Sequence, residues 1–328
     1  MARLTMVQAL NLALRQEMTS DPDVVVLGED VGIDGGVFRV TEGLYEQFGA
    51  DRVIDTPLAE AGIVGTSIGM ALYGLKPVCE IQFLGFIYQA FHQLRSHASR
   101  YRSRTRGRYF CPLVVRAPYG GGIRAIEEHS ESTEALFIHS PGVKVVVPST
   151  PRLARSLLLS AIRDPDPVIF LEPTRAYRSP REEVPEDEEA FPLALARVVQ
   201  EGTDLTLVTW GAMLHTVMRV VEQAQEEHGY RIEVIDLLTL APADMATIIA
   251  SVQKTGRAVV VHEAPRTLGF GAEIIARINE EALLHLEAPV RRVTGFDVPY
   301  PPPKLEQHHL PGVDRILDAV DDLQWEIA

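Results

Sequence analysis

Short, nearly continuous apolar runs rich in β-branched residues constrain this chain more than any other feature. Val24-Val25-Val26-Leu27, Pro77 to Gln82, Leu113 to Arg116, Val143 to Val147 and Val168 to Leu171 are too short for buried helices and do not alternate as half-exposed strands do. Strands of this kind belong to a parallel sheet covered on both faces. The spacing predicts the covering helices at Leu58 to Tyr73, Phe86 to Arg100 and Arg152 to Arg163. A first helix opens where Thr5 and Gln8 form a capping box, with Val7, Leu10, Leu14 and Met18 on one face.

The pattern stops between Tyr177 and Phe191, where Arg178-Ser179-Pro180-Arg181-Glu182-Glu183-Val184-Pro185-Glu186-Asp187-Glu188-Glu189 is charged and broken by proline. It then resumes with strands at Leu205 to Thr209, Ile232 to Leu237, Ala258 to Val261 and Arg292-Val293. Helices are expected from Met213, after Pro242, from Gly271 and near Val313 to Leu323. A chain of 328 residues is long enough for about two domains. The expected fold is therefore α/β with two doubly wound domains, residues 1–178 and 192–328, joined by an acidic linker at 179–191.

A net charge of −14 argues against coating nucleic acid. Six arginines between Arg95 and Arg108 are accordingly read as a subunit interface or an anion-facing loop. Cys79 and Cys111 both lie in or beside apolar runs, which favours buried reduced thiols over a disulfide. The N-terminus lacks a signal-peptide pattern, and the stretch Ala61 to Leu75 is too short to span a bilayer and carries four glycines. The sequence therefore reads as cytoplasmic, with no membrane partner.

Chemistry concentrates at three places. Glu60 sits at the mouth of an apolar helix in Asp55-Thr56-Pro57-Leu58-Ala59-Glu60-Ala61-Gly62, where a carboxylate is costly without a partner. It is open to two readings, a ligand-facing acid or a charge favoured by the helix dipole. Gly62, Gly65, Gly69 and Gly74 follow it, and glycine inside a helix calls for close backbone approach, by another helix or by a flat ligand. The loop Tyr119-Gly120-Gly121-Gly122-Ile123-Arg124 leads to His129, either a general acid or base or an ordinary surface histidine. His262-Glu263 ends a strand where α/β sheets bind ligands, and Gly269-Phe270-Gly271 follows without completing a dinucleotide fingerprint. The chain has no GxxxxGK[ST], HExxH or CxxC motif.

Taken together, Leu27-Gly28-Glu29-Asp30-Val31, Gly35-Gly36-Val37-Phe38, Asp55-Thr56-Pro57-Leu58-Ala59-Glu60, Glu80-Ile81-Gln82-Phe83, His129-Ser130, Pro141-Gly142-Val143-Lys144-Val145-Val146, Ile235-Asp236-Leu237 and Arg292-Val293-Thr294-Gly295-Phe296-Asp297-Val298-Pro299-Tyr300-Pro301 resemble one family across the whole chain. It is the β subunit of the thiamine-diphosphate-dependent 2-oxo acid dehydrogenases. The resemblance implies a transketolase-type pyrimidine-binding domain followed by a transketolase C-terminal domain. It also implies an α subunit in an α2β2 heterotetramer and a dihydrolipoyl acyltransferase core as further partner. In that family a GDG motif and a downstream asparagine on the α chain hold the diphosphate and magnesium. This sequence has no GDG.

By the same resemblance, Glu60 matches the glutamate that hydrogen-bonds the cofactor's pyrimidine nitrogen and favours its imino tautomer. Glu29, Leu58, Gln82 and Phe86 match cofactor-pocket positions, and His129 matches the acid of reductive acylation. A structural potassium site is implied at Leu113, Val114, Ala161, Asp164 and Asp166, against the alternative of an ordinary Asp164-Pro165-Asp166-Pro167 turn. For the small 2-oxo acid substrate, Gln82-Phe83-Leu84-Gly85-Phe86 and the glycine loop look like pyruvate dehydrogenases, while Phe170-Leu171-Glu172-Pro173 and Val293 to Asp297 look like branched-chain enzymes. Pyruvate is slightly favoured. Two other classes stand beside it, a nucleotide-binding oxidoreductase and a non-catalytic scaffold that binds the acyltransferase core through its C-terminal domain, the acidic surface meeting a basic binding domain.

Overall fold

The computed structural model describes residues 2–178, 180–187 and 189–325, so Ser179 and Glu188 of the expected linker lie outside the described residues. The strands in chain order are β1 (Ala2–Leu4), β2 (Val24–Gly28), β3 (Val53–Asp55), β4 (Lys76–Glu80), β5 (Val114–Tyr119), β6 (Lys144–Val146), β7 (Val168–Pro173), β8 (Glu182–Val184), β9 (Arg197–Gln200), β10 (Leu205–Thr209), β11 (Ile232–Asp236), β12 (Thr239–Ala241), β13 (Ala258–Pro265) and β14 (Arg291–Gly295). A seven-stranded sheet has the order β12-β6-β7-β5-β4-β2-β3, and a five-stranded sheet the order β14-β13-β10-β11-β9. Both are parallel apart from one antiparallel edge strand each, β12 on β6 and β9 on β11. The apolar runs form the strands expected of them because β2, β5, β7, β10 and β11 are buried at every residue.

Helices Met6–Ser20 and Pro151–Arg163 cover one face of the first sheet. The capping box is present, with Thr5 Oγ1 accepting from Gln8 N and Gln8 Oε1 accepting from Thr5 N. The apolar cluster on the other face runs without interruption from Ile63, Val64 and Phe137 to Trp210, Ile248 and Phe270, so the two sheets share a core. Among the described residues no helix is long and apolar enough to cross a membrane.

Two expectations need correction, and two edge strands were not foreseen. The segment Phe86 to Arg100 is not one helix. It breaks into a 3-10 helix Leu84–Ala90, an α-helix Phe91–Ser96, a 3-10 turn Ala98–Arg100 and a further turn of helix Tyr101–Arg104. Two main-chain contacts impose the breaks: a Cβ on Gly85 would lie 2.2 Å from the Glu128 carbonyl oxygen, and one on Gly142 would lie 2.0 Å from that of Ser99. The acidic segment is not free of structure either, since β8 pairs antiparallel with β1 and Val184 is buried. The Glu186 carbonyl also accepts bonds from Gln16 and Arg155. The edge strands β9 and β12 carry too few apolar residues to be seen by periodicity, and β12 crosses from the second half of the chain to close the first sheet.

Candidate active site

The carboxyl ends of β2, β3 and β4 open on the same edge of the first sheet, the usual place for a ligand in a parallel sheet. Thr56 N donates to the Gly28 carbonyl at 2.9 Å, which ties the turn after β3 to the end of β2. Asp55 accepts from Gly32 N at 2.6 Å and from Ile33 N at 3.2 Å, which fixes the loop that follows Glu29 and Asp30. Glu60 then begins the helix Glu60–Tyr73, whose preceding residue Ala59 offers no side-chain cap. Its carboxylate is 5% exposed, yet Oε2 has no hydrogen-bond partner. A buried carboxylate oxygen left unpaired is costly, and a ligand N–H is the group that would relieve it.

The expected pocket residues gather around it. Burial, reinforced by the charges of Asp30 and Glu60, raises the Glu29 carboxyl above its ordinary value. Gln82 Nε2 donates to Asp30 Oδ2 at 3.3 Å, and Leu58 presents an apolar side chain that is 69% exposed. The turn from Gln82 to Phe86 links this group to His129. The imidazole lies 4.2 Å from the Phe83 ring and 5.2 Å edge-on from Phe86, and its Nδ1 is buried without a partner. Phe38 continues the aromatic row from Phe83, at 5.3 Å, to Tyr177, at 5.0 Å. Orphaned polar atoms beside exposed apolar and aromatic surface fit a flat, nitrogen-bearing ring. Among the described residues no group of three or more His, Cys, Asp or Glu side chains could hold a metal ion.

The other sequence candidates fall elsewhere. His262 is fully buried, stacked 5.2 Å from Trp210, with neither ring nitrogen partnered. Burial pushes its pKa down to about 4, so it is a neutral core imidazole. Gly269 and Gly271 make room for that ring, since their Cβ atoms would meet it at 2.6 and 2.8 Å, and the incomplete glycine fingerprint is thereby explained. Gly65 and Gly69 face open space, so nothing within the chain demands glycine at either position. At the expected potassium site, Lys144 Nζ lies 2.6 Å from Asp164 and 3.5 Å from Asp166, and Arg102 takes Asp166 at 2.6 Å. Both carboxylates are therefore already neutralised. The carbonyls of Leu113 and Ala161 accept from Val168 N and Asp164 N.

Several polar residues were missed by the sequence reading. Arg116 is 1% exposed and reaches Glu80 at 2.8 Å and Glu172 at 2.6 Å, tying the middle of β5 to the carboxyl ends of β4 and β7. Glu134 accepts from Trp210 Nε1 at 3.3 Å, and burial raises its pKa to about 7. Asp236, bonded to Ser149 Oγ, is raised by burial to about 7 as well. Long-range pairings such as these leave no local signature. Glu80, Glu172 and Asp236 stood in motifs quoted for the resemblance, and Glu263 at the end of β13, but none of them carried an expected role.

Comparison with known proteins adds the family. Residues 2–180 match the transketolase pyrimidine-binding domain and residues 194–316 the transketolase C-terminal domain. The chain is 54% identical to a 3-methyl-2-oxobutanoate dehydrogenase subunit beta of Mycobacterium tuberculosis, covering 97% of this chain and 91% of that one. It is 50% identical to a pyruvate dehydrogenase E1 component subunit beta of Acholeplasma laidlawii, covering 96% of each, and 49% identical to that of Bacillus subtilis, covering 97% and 98%. A split-gene transketolase, solved as an inactive beta4 tetramer, shares the fold with a TM-score of 0.81 at 22% identity, over 98% of each chain.

Proposed function

Because the chain belongs to the family of 2-oxo acid dehydrogenase E1 β subunits, we propose that with an α subunit it carries out thiamine-diphosphate-dependent oxidative decarboxylation of a 2-oxo acid. The unpartnered, buried oxygen of Glu60 is the observation that carries this reading. When bound, the cofactor supplies the electron sink for decarboxylation. Glu60 Oε2 is the atom free to share a proton with a ring nitrogen, and Glu29 beside it, its carboxyl raised by burial and by the charges of Asp30 and Glu60, borders the same site. Gln82 and Leu58 border the same edge, and Phe86 offers a ring face to a heterocycle. His129, set between Phe83 and Phe86, would hold or deliver a proton at Nδ1 during transfer of the acyl group to a lipoyl arm.

Magnesium and the cofactor diphosphate are assigned to the α subunit, because this sequence lacks GDG. The assembly proposed is an α2β2 heterotetramer docked on a dihydrolipoyl acyltransferase core in the cytoplasm, with the chain's charge of −14 suited to a basic binding domain. Potassium, proposed at Leu113, Val114, Ala161, Asp164 and Asp166, would rest on main-chain oxygens, since Lys144 already holds both carboxylates. The proposed substrate is pyruvate, the acid named for more of the relatives. A branched-chain 2-oxo acid is the second reading, favoured by the 54% identity to the 3-methyl-2-oxobutanoate enzyme.

The test is co-expression with the α partner, followed by initial rates with pyruvate and 3-methyl-2-oxobutanoate. Cofactor-dependent decarboxylation by the pair, absent from the isolated chain and lost in Glu60→Ala, is expected. Full activity of Glu60→Ala would sink the reading, and the ratio of kcat/KM for the two acids decides the substrate.

A further inference from the structure

His129 rides on a loop closed at its base, where Gly120 N donates to the Glu131 carbonyl at 3.3 Å. The far side of this loop is gripped by the other half of the chain. Gly122 N donates to Glu306 Oε1 at 2.9 Å and Arg124 N to Glu306 Oε2 at 3.1 Å, while Tyr300 Oη donates to Glu306 Oε1 at 2.8 Å. Gly121 N donates to Glu263 Oε2 at 3.0 Å, and Arg175 anchors the other oxygen of Glu263 at 2.8 Å. Two carboxylates thus bind three main-chain N–H groups of a segment that has no ladder of its own, and such charge-assisted bonds are about twice as strong as neutral ones. The glycines belong to the grip: a Cβ on Gly121 would fall 1.9 Å from Tyr300 Oη, and one on Gly122 would fall 2.4 Å from Arg175 Cδ. At the histidine end Gly85 abuts the Glu128 main chain, so the loop is held from both sides.

We propose that Glu263 and Glu306 are positioning residues of the reaction, setting the placement of His129 by clamping the glycine loop through its main-chain N–H groups. The inference rests on the reading of His129 as the group that serves acyl transfer. Neither glutamate has a place in the Glu60 cluster, so loosening the clamp should disturb transfer to the lipoyl arm and leave decarboxylation largely intact. Glutamine at either position keeps one acceptor oxygen and turns an N–H toward the loop's own donors.

The experiment uses the reconstituted enzyme with its α subunit. Two rates are compared, decarboxylation coupled to an artificial electron acceptor and acylation of an isolated lipoyl domain. For Glu306→Gln and Glu263→Gln, a fall of about 10–100-fold in kcat/KM for the lipoyl domain is expected, the scale of a small misplacement of a reacting group. The dye-coupled rate and the KM for the 2-oxo acid should change by less than about threefold, within the scatter of a remote substitution. Urea unfolding midpoints of both glutamate variants are measured alongside, and midpoints close to that of the wild type show that a selective fall in acylation is not a folding defect. An equal fall in both rates, or no fall in either, overturns the proposal. His129→Ala is run alongside. If it lowers lipoyl acylation while the glutamate variants do not, the clamp alone is wrong; if it leaves acylation unchanged, the reading of His129 fails and takes the proposal with it.

Discussion

Gly85 and Glu128 meet at main-chain contact: a Cβ on Gly85 would come within 2.2 Å of the Glu128 carbonyl oxygen and 2.7 Å of its Cα. The turn that carries Phe83 and Phe86 is thereby fitted to the loop that carries His129, with no side chain between them. Gly85→Ala has to push one of the two away. It should destabilise the chain by about 1–3 kcal/mol, the range for overpacking, and lower turnover by about 100-fold through misplacement of the imidazole. Urea unfolding and steady-state rates of the reconstituted enzyme check both figures; an unchanged rate would show that the loop yields freely.

Arg116 is the cation in a buried triad with two carboxylates, and Tyr177 Oη adds a donor to Glu172 at 2.6 Å. Arg116→Met leaves Glu80 and Glu172 buried without their counter-charge and should cost about 3–5 kcal/mol. Adding Glu80→Gln and Glu172→Gln to it should recover much of that loss, since the penalty lies in the stranded charges. Arg116→Lys should not rescue, because a lysine cannot reproduce the two bonds of 2.6 and 2.9 Å to Glu172. Unfolding midpoints of the four proteins decide it.

Glu134 predicts a pH dependence. Burial raises its folded pKa to about 7 from the ordinary 4.5 of a free glutamate, so the folded state favours the neutral acid. The contribution is fully present below about pH 4.5 and is lost as pH rises through 7, a change of about 3 kcal/mol when ionisation is complete. Glu134→Gln should therefore flatten the decline of Tm between about pH 4.5 and 7.5 without removing it, because Asp236 titrates in the same window. His262 acts on the acid side with the opposite sign, its stability contribution being lost as pH falls from about 6.5 toward 4. A wild-type decline retained in full by Glu134→Gln would refute the assignment.

Lys144 stands where a monovalent cation would be drawn to Asp164 and Asp166. Lys144→Met should lower Tm, and potassium chloride should restore part of the loss more effectively than tetramethylammonium chloride at equal ionic strength. Partly exposed pairs of this kind contribute only about 0–1 kcal/mol each, so a shift of a few degrees is the scale expected. Equal restoration by both salts would reduce the effect to screening.

The parallel architecture was legible because buried strands need runs such as Val24 to Leu27, and the first helix because Thr5 and Gln8 cap it locally. Glu60 and His129 could be picked out as oddities, but only many motifs in order gave them roles. What stayed hidden depends on distant partners. Phe86 to Arg100 has helical periodicity yet the segment yields to contacts with Glu128 and Gly142, and β8 is a strand only because β1 lies beside it. Glu306 had no local mark at all, since its bonds reach back to Gly122 and Arg124.

Strand β12 has a bearing on how the chain is made. Its residues Thr239–Ala241 seal the edge of a sheet whose other six strands have all been synthesised by Pro173. On the ribosome, β6 must wait with its edge unpaired while the charged segment, β9, β10 and β11 are still being added. An exposed strand edge is a template for pairing with other chains. A fragment that stops before residue 239 keeps that edge for its lifetime, so expression of the first half alone should give aggregates where the full chain does not. Maturation of this subunit therefore depends on the second half arriving in time to shield the first.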